Sequence, residues 1–379
     1  MLQLDADQLP AYLHIRHLLG PDESCRVNVL SGGVSNVVLR VEAERRPPFV
    51  IKQSRERLRT EVPWFSRLDR IFRETAVMRA LEPLLPTGAI PRILDEDREN
   101  YAYAMEAVDA DHRVWKQELL SGRLHNEIAT RLGGYLAAIH GRTQGIPTIA
   151  QEFDDREIFV QLRVDPFYRR VARAHPDLEP AIDSLIDQMW RTRLCLVHGD
   201  FSPKNVLIVD PPRDNLPEVN PALRPTVTLV DFETGHYGDP AFDLGFFLSH
   251  LLLKAVRASA ESLRFVQLAR VFWNRYRAGI EEWAAGTPLQ APDLEQRAVV
   301  HLAACALARI DGTSPVDYLT DPADRDVVRA FSRRLLTEPV GRLPEAFAIL
   351  LEFLAARDPR TKLHQARGQS MPPLESSGT

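Results

Sequence analysis

The chain has 379 residues, 45% of them hydrophobic, and 47 Lys and Arg stand against 52 Asp and Glu for a net charge of −5. That length supports a sizeable core divided between two lobes, and the charge balance argues against nucleic acid or an anionic membrane as a partner. Cys25, Cys195 and Cys305 are isolated and lack CxxC spacing, which excludes a disulfide framework or a zinc site and suits a reducing compartment.

The N-terminus, MLQLDADQLP, has no basic region followed by an apolar stretch. The longest apolar segment, Phe242 to Leu253, is interrupted by Asp243 and His250 and is too short to span a bilayer. A soluble, cytoplasmic protein is therefore expected.

The first hundred residues read as strands around one helix. Val37, Leu39 and Val41 alternate with Val38, Arg40 and Glu42, and Phe49-Val50-Ile51 follows a hairpin-like break at Pro47-Pro48. Helical spacing predicts a helix within 67–81, ended by Pro83 and Pro86, and two more strands flank the turn at 95–100. After Met105 the pattern turns helical, with amphipathic helices at 128–139 and 181–190. Short apolar strands at 194–197, 206–209 and 227–230 come next, the last two joined by a proline-rich hairpin loop. Long helices run to about 356, and 365–379 is polar and small enough to be disordered.

Two polar clusters sit at the ends of those short strands. The first is His198-Gly199-Asp200 with Asn205; the second is Asp231-Phe232-Glu233. Either alone reads as a polar turn or a strand cap. Together they present carboxylates and an amide from adjacent strand ends, the set that phosphoryl transfer from a nucleotide requires. One carboxylate orients and deprotonates a hydroxyl, and oxygen ligands hold magnesium on the phosphates. Asp200 is the candidate base, Asn205 and Asp231 are candidate Mg²⁺ ligands, and Glu233, which points the same way as Asp231 if the strand period continues, is either a further ligand or a solvated strand-end residue. His198 is read as a scaffold for the loop.

Upstream, Ser31-Gly32-Gly33-Val34-Ser35-Asn36 is either a tight hairpin or a phosphate cradle in which Gly32 and Gly33 admit backbone N–H groups and Ser35 adds a hydroxyl. Lys52, on the strand expected to pair with residues 36–41, can neutralise phosphates if an acid holds it, and Glu74 on the predicted helix is that acid. Asp239-Pro240 reads as the N-cap and first position of a helix. Asp243, in the first turn of that apolar helix, needs hydrogen bonds that the His198–Asp200 backbone can supply.

These motifs resemble the aminoglycoside phosphotransferase and choline-kinase-like family, small-molecule relatives of the protein kinases. Leu196-Val-His-Gly-Asp-Phe-Ser-Pro-Lys-Asn-Val-Leu is similar to that family's HGDxxxxN loop. Asp231-Phe-Glu with Gly238-Asp-Pro-Ala-Phe-Asp-Leu-Gly is similar to its metal-binding strand end and following helix. The resemblance spans roughly residues 28–255. It implies an α+β, bilobal, protein-kinase-like fold with a small β-rich N-lobe (1–105), a larger mainly helical C-lobe (106–364), and ATP at the hinge near Met105-Glu106.

A narrower similarity is to methylthioribose kinases, through Lys52-Gln53, Trp64, Asp69-Arg70, Glu74, Glu233 and Arg113-Val-Trp-Lys. The chain departs from them at Asn205, where they carry a small hydroxyl residue. It also has Arg309 alone where they carry paired sugar-contacting arginines. Methylthioribose is thus one candidate acceptor among sugars and amino alcohols. An aminoglycoside would call for an acidic cleft, and Glu281-Glu282 and Asp317 are mixed with many arginines. The alternative of another class is a nucleotide-binding pseudokinase serving as an interaction module. Retention of Lys52, Glu74, Asp200, Asn205 and Asp231 argues against it.

Overall fold

A computed structural model describes residues 1–30, 35–60, 63–210, 225–290 and 292–357. Gly32, Gly33, the body of the hairpin loop after Asp210 and the expected tail 365–379 lie outside the described residues. The N-terminal part contains α1 (Leu9–Ile15), β1 (Cys25–Val29), β2 (Asn36–Ala43), β3 (Phe49–Ser54), α2 (Arg70–Leu81), β4 (Ile93–Asp97) and β5 (Ala102–Glu106). Its strands form one antiparallel sheet in the order β1-β2-β3-β5-β4.

β3 lies at the centre of this sheet and is buried along its whole length, its apolar half Phe49-Val50-Ile51 followed by the buried polar residues Lys52, Gln53 and Ser54. Side chains alternate across a strand, so Val50 and Lys52 share one face while Phe49, Ile51 and Gln53 share the other. α2 covers the first face with Ile71, Val77, Met78 and Leu81. α1 covers the second: Leu9, Tyr12 and Leu13 pack with Leu39, Phe49 and Ile51. The sequence reading allowed only one helix in this region. α1 escaped it because seven residues carry too few turns for a periodic signal, and Pro10 lies inside them.

The C-terminal part begins with β6 (Arg113–Val114), α3 (Trp115–Leu120) and α4 (Asn126–Thr143). Short helices α5 (Pro147–Glu152) and α6 (Glu157–Phe159) lead into a π-helical segment, Val160–Arg169, then α7 (Arg170–Ala174) and α8 (Glu179–Arg191). β7 (Cys195–Val197), β8 (Val206–Val209), β9 (Thr226–Leu229) and β10 (His236–Gly238) carry the polar clusters at their ends. The chain then enters α9 (Pro240–Arg257), α10 (Ser262–Trp283), α11 (Pro292–Asp311), α12 (Pro322–Thr337) and α13 (Leu343–Arg357).

β8 pairs with β9 as the expected hairpin and also with β6, while β7 pairs with β10. α9 is the hub of the helical part, with every residue from Pro240 to Val256 buried, as an all-round apolar helix requires. Gly245 lets it approach α11; a Cβ there would stand 2.5 Å from the Cβ of His301.

The two parts join through the chain after Glu106, through the polar contacts of Lys52 and Arg70 with Asp231 and Glu233, and through a bridge on the hinge side. Leu229 N–H donates to Ala89 O at 2.8 Å, and Thr228 Oγ1 donates to Gly88 O at 2.7 Å. A small sheet-rich lobe on a larger, mainly helical one is the bilobal α+β arrangement of protein-kinase-like enzymes. No helix among the described residues is long and apolar enough to cross a membrane.

Candidate active site

The loop after β7 is built around buried Asp243. Its Oδ2 accepts from the His198 N–H at 2.7 Å and its Oδ1 from the Gly199 N–H at 2.8 Å, while His140 Nε2 lies 3.2 Å from Oδ2. The role inferred for Asp243 from sequence is thus observed. Burial works to raise its pKa, but the bonds from His140 and His198 hold the carboxyl below its ordinary range. Asp239 caps α9 as expected, accepting from the Ala241 N–H at 3.0 Å.

Gly199 adopts φ +75°, and a Cβ there would meet Thr234 O at 2.6 Å, so only glycine fits. His198 Nδ1 accepts the Asp200 N–H at 3.1 Å, and its ring packs on Phe232 with centroids 4.4 Å apart. Burial lowers the pKa of this imidazole, which favours the neutral ring and fits a scaffold.

Asp200 is gripped from three directions. Arg163 Nη2 stands 2.7 Å from Oδ1, and Lys204 Nζ stands 2.8 Å from Oδ2. Asn205 Nδ2 donates to Oδ2 at 2.8 Å and to the Asp200 carbonyl at 2.9 Å. Asn205 therefore spends its nitrogen on Asp200, and Oδ1 is the atom it can offer a cation.

Sequence reasoning missed Arg163. It projects from the π-helical segment, where Pro166 lacks an N–H and cannot close an α-helical bond to Leu162 O. Arg163 Nη1 takes that carbonyl at 2.6 Å and its Nε donates to Gly199 O at 2.9 Å. A proline within an otherwise helical, amphipathic stretch, QLRVDPFYRR, was the available signal. Lys204 was visible inside the HGDxxxxN loop but had been given no role.

The second cluster stands on the β8–β9 hairpin. β9 ends at Leu229, so Asp231 and Glu233 do not continue a strand, and the expectation from strand period does not apply to them. Asp231 instead adopts φ +72°, a costly conformation for a residue with a side chain. Three bonds hold it there: Val230 N–H to Asn205 O at 3.1 Å, Phe232 N–H to Glu74 Oε1 at 3.2 Å, and Lys52 Nζ to Asp231 Oδ1 at 2.7 Å. The turn still brings carboxylate oxygens of Glu74, Asp231 and Glu233 within 4.8 Å of one another.

Lys52 also bonds Glu74 at 2.8 Å, so the pair expected from sequence exists. Burial opposes charge on Lys52, yet Asp231 and Glu74 hold the ammonium well above its ordinary pKa. Burial would raise Asp231 too, but Lys52 and Lys204 keep it ionised far into acid. Glu74 bears the cost: burial pushes it up to about 7 against the pull of Lys52. Glu233 is not solvated. Its Oε2 accepts from Asn36 Nδ2 at 2.9 Å and from Arg70 Nε at 3.2 Å. Arg70 also donates to Ser35 O at 2.5 Å, tying the described end of the glycine turn to this carboxylate.

Lys204 links the two clusters, its ammonium lying 3.7 Å from Asp231 Oδ2 as well as against Asp200. Asp200, Asn205 and Asp231 therefore share one locality, with Lys52, Glu74 and Glu233 adjoining. The ionised Asp231 carboxylate, the Asn205 amide oxygen and the Glu233 carboxylate are oxygen donors of the kind a hard divalent cation takes, and Lys52 and Lys204 balance the charge of Asp231. Met105 and Glu106 close β5 opposite Val50 and Phe49. A cavity of about 240 Å³, lined by Ile90, Glu106, Ala107, Val108 and Val209 among others, lies beside this hinge.

Residues 26–283 match the phosphotransferase enzyme family. A 4-hydroxytryptamine kinase from Psilocybe cubensis is 24% identical over 271 residues, covering 65% of this chain and 73% of the relative. A methylthioribose kinase from Escherichia coli is 24% identical over 285 residues, covering 66% and 64%. With a methylthioribose kinase from Yersinia pestis the match covers 50% of this chain and 49% of the relative. Among solved structures, a macrolide 2'-phosphotransferase from Brachybacterium faecium aligns over 91% of this chain and 98% of its own, at 18% identity and a TM-score of 0.45. On the family match, which takes in both polar clusters and the sheet that carries Lys52, the chain belongs to the phosphotransferase enzyme family, as a kinase of small-molecule hydroxyl groups.

Proposed function

We propose that the protein transfers the terminal phosphoryl group of ATP to a hydroxyl of a small metabolite, with Mg²⁺ and with Asp200 as the base. The observation that carries this reading is the chain of short contacts from Glu74 through Lys52, Asp231 and Lys204 to Asp200 and Asn205. It supplies a base, cations for phosphate oxygens and oxygen ligands for a metal in one place.

ATP would lie between residues 1–105 and residues 106–364, its adenine against Met105-Glu106 and its phosphates under Gly32, Gly33 and Ser35. Lys52, held by Glu74, neutralises phosphate oxygens. Asp231, Asn205 and Glu233 are the residues that would hold Mg²⁺, which would offset the charge of the phosphates when bound. Asp200 accepts the hydroxyl proton as the acceptor oxygen bonds to the terminal phosphorus, and the bond from that phosphorus to the oxygen of the departing ADP breaks. Arg163 and Asn205 hold Asp200 for in-line attack, and positioning of this kind supplies much of the rate.

The test is ADP release above the acceptor-free background, with Mg²⁺ and with EDTA, against sugars, amino alcohols, methylthioribose and 4-hydroxytryptamine. Acceptor-dependent release that needs Mg²⁺ and is lost in Asp200→Ala, with ATP binding retained, is the expected result. Transfer at the wild-type rate in Asp200→Ala would end the proposal. ATP binding without transfer to any acceptor would favour the pseudokinase reading.

A further inference from the structure

A second group of cations lies beyond Arg163. The guanidinium carbons of Arg163 and Arg309 each stand 5.7 Å from the centroid of the Phe167 ring, so the π-helical segment and the end of α11 present their charges around one aromatic side chain. Next to Arg309 is Tyr318, whose ring lies 5.0 Å from Lys254 Nζ and 5.7 Å from Lys116 Nζ. Arg163 is paired with Asp200, and Lys116 with exposed Asp317 at 3.2 Å.

Arg309 and Lys254 differ from these. Among the described residues neither has a carboxylate within ion-pair distance. Lys254 is 2% exposed and its ammonium donates to the His250 carbonyl. Arg309 Nε and Tyr318 Oη are buried without a hydrogen-bond partner among the described residues. Isolated buried cations and orphaned donors are costly, and proteins keep such groups where a ligand completes them. Burial and the neighbouring cations push Lys254 down to about 7, and Asp200 lies close enough to act on the charge of Arg309.

We propose, as a refinement resting on the reading above, that the hydroxyl acceptor carries an anionic oxyacid group, a carboxylate or a phosphate, held by Arg309 and Lys254. Tyr318 donates to the same group, and the hydroxyl of the acceptor reaches Asp200. A polycationic acceptor meets like charge here. A guanidinium and an ammonium together suit oxyanions, the first by its paired donors and the second as a point charge.

Matched probes test this on the full chain in the presence of ADP and Mg²⁺: glycerate against glycerol, ribose 5-phosphate against ribose, and ethanolamine as a cationic control. Binding is read by calorimetry. At least one anionic member is expected to bind tenfold or more tightly than its neutral partner. The glycerate pair answers for a carboxylate and the ribose pair for a phosphate. Arg309→Gln and Lys254→Met should each remove most of that preference, with cooperative thermal unfolding as the control for folding.

Equal or better binding of the neutral members or of ethanolamine overturns the proposal. So does absence of anion binding, or a preference that survives both substitutions. A uniform fall in turnover on every acceptor with unchanged KM also overturns it, because the cations then serve the transferred phosphoryl group instead. None of these outcomes bears on the parent reading, which rests on acceptor-dependent ADP release and its loss in Asp200→Ala.

Discussion

Arg163 meets Asp200 through Nη2 and Oδ1 at 2.7 Å, with the side chains only 9% and 3% exposed. Removing one partner from a buried ion pair leaves the other uncompensated, at a cost of about 3–5 kcal/mol. Lys204 remains beside Asp200 and should reduce that loss. Arg163→Met is therefore expected to lower the melting temperature and to cut kcat by roughly 100-fold through misplacement of Asp200. KM for ATP should change little, since Arg163 touches none of the residues assigned to the nucleotide. Unchanged kcat on a folded variant would remove Arg163 from the machinery.

Asp243 holds two backbone N–H groups and one imidazole at once. Asp243→Ala strands all three, and hydrogen bonds to charged groups contribute about 1.5–3 kcal/mol each. A loss of several kcal/mol is expected, with a smaller loss in Asp243→Asn, which keeps one acceptor oxygen. Denaturant unfolding ranks the two variants, and equal stability of all three proteins would contradict the arrangement described.

Acid should destabilise the fold before carboxylates other than Glu74 begin to titrate. Burial lowers His236 to about 4 and His301 to about 3, whereas the unfolded chain takes up protons near pH 6.5, on the order of the free imidazole value. Between those limits the unfolded state binds more protons, so stability falls as pH falls from about 6.5 toward 4. Glu74 opposes this: raised to about 7, it loses stability as pH rises. Two histidines outweigh one carboxyl, so the unfolding midpoint should be lower at pH 5 than at pH 7. A midpoint that rises on acidification would reverse the assignment.

Lys254→Met is expected to stabilise the protein at pH 7 when no anion is bound. Replacing buried charge by an apolar side chain of similar length commonly gains about 1–4 kcal/mol. Between pH 7 and the ordinary lysine range the unfolded chain keeps a proton that the folded chain sheds, so wild-type stability rises with pH there. The advantage of the variant should therefore shrink toward pH 10, on the order of the free lysine pKa. Thermal unfolding at both pH values checks this.

The parts of the site that were legible in the sequence are those whose residues lie close together along the chain. His198 to Asn205, Asp231 to Glu233 and Asp239 to Asp243 carry their geometry in local turns, caps and strand ends. The pairing of Lys52 with Glu74 was legible because one strand and one helix fix it. Arg163, Arg70 and Lys204 were not, because an arginine on a helix or a lysine in a loop gives no sign of the distant carboxylate it meets. The local path at Asp231 was misread for a related reason: its left-handed backbone is imposed by Asn205, Glu74 and Lys52, none of them a chain neighbour. Arg309 enters the sequence reading only through a family resemblance, and its lack of a carboxylate within ion-pair distance among the described residues is a property of the packed fold.

The bridge from Gly88 and Ala89 to the β9 strand has a mechanical consequence. A body fastened to another at two separated points retains a single rotation, about the line through those points. Opening or closing of the sheet over a nucleotide is therefore expected to rock about an axis through the Glu106 connection and the Thr228–Gly88 clasp, breaking and remaking the contacts of Lys52 with Asp231 and of Arg70 with Glu233. Sliding or twisting of one lobe across the other would first have to break the clasp.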